Sequence, residues 1–525
     1  MFTKSKIGSW LGGLSLAALC WTSPISASQH PAIETDLGTI TGIGDDNGSR
    51  FMGIPYAQPP VGDLRWAPPQ PVTDLPEPYA ATEFSSTCPQ NASAFGVASV
   101  DEDCLYLNVY LPEGDVSSFH NLPVMVWFHG GAFTYGGGSL YDPAPLVKKG
   151  VVVVTINYRL GALGYLAHPA LTAEQGASGN YGIMDQQLAL QWVQDHISAF
   201  GGNENNVTIF GQSAGGLSSH AHLVSKNSSG LFHKAIIQSG AYWLDQPMLD
   251  EWELLGLGIT AQAGCGADTS LECLRNLAVE DILANQDPGD LGWLPITDGK
   301  TLTQPMEQAL ASGDFNQVPV MQGSTRDDYT MFTALGHDLN PERGPITEEN
   351  YVQRLIDLGF PEAAAPLIAF FYPPFLYENA GAAYSAMGTD FLFACTSRSS
   401  LLKLSRHVTT YAYEFNDRNA PFPALPPVSF PYGAAHGAEI QYLMNTFKDG
   451  ELSSSQKKLS KHMIKYWTNF AKRGNPNPWG SFFWPKYNGL HGIMMSLQTP
   501  FALPKVGFKV DHKCDFWTTL LSFEP

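Results

Sequence analysis

The most constraining feature of the chain is the stretch from Val124 to Val224, where short apolar runs alternate with a helical pattern. Val124-Met125-Val126-Trp127-Phe128 and Val151 to Ile156 are continuous and rich in β-branched residues, as expected of strands covered on both faces. Between Tyr181 and His196 the period changes. Met184, Leu188, Trp192 and Val193 fall on one face at three- and four-residue spacing, which predicts a helix. Gly201-Gly202-Asn203 should break it, and Val207-Thr208-Ile209-Phe210 returns as a buried strand. Strands of this kind, joined by crossover helices, build an α/β fold around a mostly parallel sheet.

Composition supports a large core. Of 525 residues, 44% are hydrophobic and 12% aromatic, and a chain this long buries about three quarters of its extended surface. With 29 lysines and arginines against 49 aspartates and glutamates, the net charge of −20 repels polyphosphate and argues against nucleic acid as a partner. From about Pro341 to Pro431 the pattern is irregular and proline-rich, and loops and helices mounted over the sheet are expected there. Near the end, Leu459, Met463, Ile464, Trp467 and Phe470 form an apolar helical stripe, with Lys457, Lys458, Lys461 and Lys465 on the solvated side. There is no internal repeat and no obvious linker.

At the other end, Lys4 and Lys6 precede an apolar run from Leu11 to Trp21, followed by Pro24, Ser26, Ala27 and Ser28. This reads as a secretory signal peptide, residues 1–27, cleaved near Ala27 or Ser28. The run is well short of the ~20 residues a spanning helix needs, and the best later candidate, Ala363 to Tyr372, contains Pro366 and stops at Pro373. Stable membrane insertion is therefore not expected, and export to the periplasm or the exterior is. Loss of the leader removes Cys20 and leaves Cys88, Cys104, Cys265, Cys273, Cys395 and Cys514. An even number without a C-x-x-C pair, in an exported chain, favours disulfides over zinc, although parity alone does not choose the pairing.

Gly211-Gln212-Ser213-Ala214-Gly215 is a G-x-S-x-G pentapeptide, a weak signal by itself in a glycine-rich chain. Its context strengthens it, since it follows the strand Val207 to Phe210 directly and Gly216 to Val224 suits a helix. Strand, sharp turn and helix make a nucleophile elbow, in which flanking glycines admit close backbone where a Cβ would not fit. A serine nucleophile needs donors for the oxyanion that develops on the substrate. His129-Gly130-Gly131-Ala132-Phe133 follows the strand Val124 to Phe128, and its small residues let N–H groups converge. The N–H groups of Gly131, Ala132 and Ala214 would form the oxyanion hole, each donor worth about 3–4 kcal/mol in the transition state.

The stretches Phe51-Met52-Gly53-Ile54-Pro55-Tyr56-Ala57-Gln58-Pro59-Pro60, Glu102-Asp103-Cys104-Leu105-Tyr106-Leu107-Asn108-Val109, Asn157-Tyr158-Arg159-Leu160-Gly161 and Phe210 to Gly216 resemble successive landmarks of type B carboxylesterases. These are the cholinesterase-like α/β-hydrolases, and the similarity runs in order from about residue 32 to Trp517. The resemblance implies one α/β-hydrolase domain over residues 28–525, with a large mostly parallel central sheet, helices on both faces, and inserted loops and helices over the active-site cleft. It places the catalytic base at His436, within Gly433-Ala434-Ala435-His436-Gly437-Ala438-Glu439-Ile440. The acid lies in Gly323 to Asp328, where Asp328 stands at the family's usual glutamate and is preferred to Asp327. Serine, acid, histidine is the α/β-hydrolase order. The resemblance also implies the disulfides Cys88–Cys104, Cys265–Cys273 and Cys395–Cys514.

Two departures bear on substrate. Cholinesterases bind a quaternary ammonium on a tryptophan in the first disulfide loop, yet Pro89 to Asp103 holds no tryptophan and a single aromatic, Phe95. The residue before the nucleophile, commonly glutamate, is Gln212. Both argue against choline esters. The expected activity is therefore hydrolysis of a small, non-choline carboxylic ester through an acyl-enzyme, with no metal and no organic cofactor. His220 and His222 point to different helix faces and do not suggest a metal pair. Relatives that lost the serine became binding proteins, whereas Ser213 and His436 are both retained here. An interfacial lipase remains a rival within the same chemistry, separable by comparing soluble short-chain with emulsified long-chain esters, and nothing in the sequence sets an oligomeric state. Because His436 must be neutral to accept a proton, kcat/KM should fall as pH drops through about 6.5, where an ordinary histidine titrates. A flat profile from about pH 4 to pH 8 would remove His436 from the role.

Overall fold

The continuous apolar runs become interior strands of one large sheet. The computed structural model describes residues 30–289, 292–446 and 451–521, so the signal-peptide expectation for residues 1–27 lies outside the described residues. The described strands are β1 (Ala32–Thr35), β2 (Gly38–Thr41), β3 (Ile43–Asp45), β4 (Gly48–Pro55), β5 (Tyr79–Ala80), β6 (Tyr106–Leu111), β7 (Leu122–Phe128), β8 (Val152–Ile156), β9 (Gly202–Gln212), β10 (Lys234–Gln238), β11 (Val320–Thr325), β12 (Thr410–Phe415), β13 (Met494–Leu497) and β14 (Leu503–Lys505). β1, β2 and β5 form a small separate sheet, and the other 11 pair in the order β14-β13-β12-β11-β10-β9-β7-β8-β6-β4-β3. From β13 through to β8 every neighbouring pair is parallel. The edges, β14 on one side and β6, β4 and β3 on the other, are antiparallel. This is the mostly parallel sheet, flanked by helices, of an α/β-hydrolase.

The continuous runs follow from packing on both faces. In β7, Val124, Val126 and Phe128 join one core with Leu190, Val193, Leu217 and Ala221 from the helices Tyr181–His196 and Ala214–Val224. Met125 and Trp127 point to the opposite core, against Trp467 and Phe470 of the helix Ser454–Arg473. Neither face of the strand needs a polar residue, because neither meets water. The lysines expected on the solvated side of the last helix, Lys457, Lys458, Lys461 and Lys465, are exposed.

Three sequence expectations need correction. The helix after the pentapeptide begins at Ala214, directly after the serine, and not at Gly216. β9 starts at Gly202, inside the segment expected to be a break; Gly201, with φ 76°, ends the preceding turn and Gly202 pairs with Leu122 at once. The region from about Pro341 to Pro431, expected to hold only loops and helices, contributes the interior strand β12. Its charged Glu414 disguises it. That carboxylate is buried and satisfied by Arg326 at 3.0 Å and by His512 Nε2 at 2.8 Å, so a polar residue sits where burial otherwise demands an apolar one. Burial pushes the Glu414 carboxyl up, but His512 and Arg326 outweigh it and hold it down at about 2.

Disulfides join Cys88 to Cys104, Cys265 to Cys273 and Cys395 to Cys514. Such bonds persist in oxidising compartments. No helix among the described residues is long and apolar enough to cross a membrane. The last bond joins residues 119 apart and ties the final helix, Cys514–Leu521, to the start of the helix Cys395–His407. Replacing Cys395 and Cys514 together by serine should lower unfolding free energy by about 4–5 kcal/mol, the chain-entropy value for so long a loop. Denaturant titration checks this, and the double variant should lose its sensitivity to reductant at this bond.

Candidate active site

The elbow is built from close backbone contacts. Ser213 has φ 58° and ψ −125°, a conformation that costs a non-glycine residue energy and that recurs at functional turns. Its N–H donates to the Gln238 carbonyl at 2.8 Å, fixing the turn to β10. A Cβ on Gly211 would lie 2.4 Å from the Gly215 backbone, and one on Gly215 would lie 1.9 Å from the Phe128 oxygen. Both flanks therefore exclude any side chain, as the pentapeptide suggested.

The glycine-rich loop after β7 curls over the same point. Gly131, Ala132 and Phe133 have φ of 111°, 54° and 55°, three successive residues with positive φ that bend the chain sharply. Among the described residues, no hydrogen bond engages the N–H of Gly131 or Ala132. An ideal Cβ on Gly130 would stand 3.1 Å from Ser213 Cβ, so loop and serine are in contact. His129 anchors the loop, its Nδ1 2.8 Å from the Gly130 carbonyl and its ring stacked 4.3 Å from Tyr158. Burial pulls its pKa down to about 4, which keeps it a neutral structural group. Gln90, in the first disulfide loop, clamps Gly136 from both sides, accepting at 2.8 Å and donating at 2.7 Å.

Asp328 and Asp327 separate cleanly. Asp328 is fully buried, with Oδ1 2.5 Å from His436 Nδ1. Its Oδ2 accepts from Ser239 Oγ at 2.9 Å and from the Thr325 N–H at 3.0 Å. The side chain one methylene shorter than glutamate therefore reaches the imidazole. Asp327 turns away, pairing with Arg418 and accepting from the Ala434 N–H at 2.9 Å, and so anchors the loop that carries His436. Phe332 and Phe393 pack on the imidazole, each with its ring centroid 5.0 Å away. His436 Nε2 is buried without a hydrogen-bond partner, so the contact with the serine hydroxyl is not closed. Such contacts are commonly long in a free enzyme and tighten around substrate. Tyr242 lines a cavity with Ser213; burial pushes its phenol well up and the nearby Ser213 hydroxyl pulls it partly back.

Ser213, His436, Gly131 and Ala132 line one cavity of about 460 Å³, with Phe95, Val97, Leu140 and Ile440 among its apolar walls. A serine, an imidazole locked by a carboxylate and unoccupied backbone donors on one cavity are the parts of an acyl-transfer site. Comparison with known proteins gives the same answer. Residues 29–517 match the carboxylesterase family. The chain belongs to that family. It is 34% identical over 523 residues to acylcarnitine hydrolase of Mus musculus, covering 92% of this chain and 91% of that protein. It is 32% identical over 518 residues to cocaine esterase of Homo sapiens, covering 92% and 90%. Carboxylesterase 1D of Rattus norvegicus is 33% identical over 558 residues, covering 97% and 96%. The protein is accordingly a carboxylic ester hydrolase of the α/β-hydrolase fold.

Within this carboxylesterase, three residues at the site escaped sequence reasoning. Ser239 and Tyr242 follow β10, and no local pattern marks them; only the sheet brings them to Asp328 and Ser213. Glu439 did have a signal, since it stands three residues beyond His436 in the same turn. It is buried, accepts from Gln238 Nε2 at 3.2 Å, and leaves Oε2 without a partner. Burial, and then the nearby Asp328 charge, push its carboxyl up to about 7. His220 and His222 lie buried on the helix behind the serine, burial pulling both down to about 3, and His222 is held by Ser228 and Gln186 at 2.9 Å each.

Glu439 gives a pH test with a definite sign. Its folded pKa lies above the unfolded value, so the native state binds the proton more tightly and loses stability as pH rises from about 4.5 to about 7. Glu439→Gln removes that titration. The difference in Tm, variant minus wild type, should therefore increase over this window and level off above it. A difference independent of pH would show that Glu439 does not ionise there.

Proposed function

We propose that this carboxylesterase cleaves non-choline carboxylic esters with Ser213 as nucleophile, His436 as general base and acid, and Asp328 as the group that orients the imidazole. Ser213 Oγ forms a bond to the ester carbonyl carbon while its proton passes to His436 Nε2. The negative charge on the carbonyl oxygen is met by the N–H groups of Gly131, Ala132 and Ala214. Collapse breaks the bond to the alcohol oxygen, which takes the proton from His436 and leaves an acyl-enzyme. Water then repeats the sequence and releases the acid. Asp328 holds the Nδ1 proton and stabilises the imidazolium.

The observation that carries this reading is the cavity shared by Ser213 and His436, with Asp328 at 2.5 Å from the far side of the imidazole. The wall contributed by the first disulfide loop supports a non-choline ester, because it offers Phe95 and Val97 and no tryptophan for a quaternary ammonium. The same reading takes residues 28–525 as one domain behind a cleaved signal peptide, exported to the periplasm or the exterior. A fluorophosphonate probe should label the wild type stoichiometrically and fail to label Ser213→Ala, with kcat for phenyl acetate reduced by at least about 10³-fold. Stoichiometric labelling of Ser213→Ala would mean that another residue is the nucleophile.

A further inference from the structure

Ser213 and Ala132 also line a second cavity, of about 570 Å³, which has a different character. The first cavity has no aspartate, glutamate, lysine or arginine in its walls. The second is largely aromatic near the serine, through Tyr242, Trp243 and Phe332, but elsewhere carries His337, Arg343, Arg354 and Asp357. Two guanidinium groups against one carboxylate leave a single positive surplus, in a chain whose net charge is −20.

The charge at this wall is incompletely paired. Arg354 donates from Nη1 to Asp357 at 3.1 Å and from Nη2 to the Arg343 carbonyl at 2.6 Å, while its Nε–H is buried without an acceptor. The Arg343 side chain is exposed and makes no ion pair among the described residues. His337 is only 5% exposed, and its Nδ1 has no partner. Its imidazole is kept neutral by burial and by the two arginines. Asp338, the next residue, accepts from the Ser429 N–H at 2.9 Å and is not part of the wall. An incoming carboxylate would pair with the exposed Arg343 guanidinium beside Arg354. A neutral alkyl or a cationic group would leave the positive surplus of this wall unpaired.

We infer that one arm of the preferred ester, the arm that enters this second cavity, ends in an anionic group of the carboxylate class held by Arg343 together with Arg354. The other arm, in the uncharged cavity, is neutral. This rests on Ser213 being the nucleophile, since Ser213 lines both cavities.

Matched probes test it. Phenyl adipate monoanion and its neutral amide, phenyl adipamate, place the charge on the acyl arm; 6-acetoxyhexanoate and 6-acetoxyhexanamide place it on the alcohol arm. Each ratio of kcat/KM, anion over amide, is divided by the ratio for uncatalysed hydrolysis. In one of the two pairs the wild type should favour the anion by about fivefold at low salt, a partly exposed charge pair being worth no more. The preference should shrink as salt rises. It should persist in Arg343→Lys and collapse toward unity in the double variant Arg343→Gln/Arg354→Gln. A ratio at or below unity in both pairs, or a preference untouched in the double variant, would overturn the inference. Phenyl acetate keeps the two readings apart. If Ser213→Ala abolishes its hydrolysis while no preference exists, the nucleophile stands and the anionic arm falls.

Discussion

The site depends on one backbone contact too close for any side chain. The first turn of the helix after Ser213 lies against the carboxyl end of β7, so that a Cβ on Gly215 would overlap the Phe128 oxygen at 1.9 Å. β7 ends there and the glycine-rich loop begins with His129, so the same contact sets the distance between the serine and the donors of Gly131 and Ala132. Ser213 carries its unfavourable φ because β9, the helix Ala214–Val224 and the Gln238 carbonyl hold the turn from three sides. A larger residue at either flank would move the helix, and the donor loop would no longer meet the nucleophile.

Around that contact the polar groups are divided between chemistry and scaffolding. Asp327 and Asp328 are neighbours, yet one holds Arg418 and the Ala434 N–H while the other holds the imidazole. The first fixes where the loop of His436 runs, and the second fixes how its ring is turned. Other buried charges are paired in the same manner, with Arg159 bonded to Asp185 at 2.7 and 2.8 Å, and Glu414 set between Arg326 and His512. Glu439 is not paired in this way. It has no cationic partner and sits beside Asp328, which is why burial drives it toward its neutral form.

The two cavities that open at Ser213 differ in what they ask of a substrate. One is walled by small and apolar residues and by the free backbone donors, the other by aromatic rings that give way to guanidinium groups. Hydrophobic burial holds an ester in both, but of the two only the second carries guanidinium groups that a carboxylate can pair. Selectivity in this enzyme is therefore expected to come from hydrogen-bonding groups far along the chain from the catalytic serine, and not from the serine's own neighbours.

The sheet and its central strands were legible in the sequence because strands buried on both faces need an unbroken apolar run, as Val151 to Ile156 shows. The elbow was legible because a turn that excludes every Cβ needs glycine at both flanks. β12 was hidden by Glu414, since a buried ion pair looks polar until its partners Arg326 and His512 are known. Asp327 and Asp328 could be ranked only by resemblance, because adjacent carboxylates are alike in sequence and differ in what the fold brings to each. Tyr242, Ser239 and the arginines of the second cavity were beyond reach for the same reason. Local composition determines which segments are strand, turn or helix; which distant side chains share a cavity is decided by packing across the sheet, where the partners come from other strands and loops.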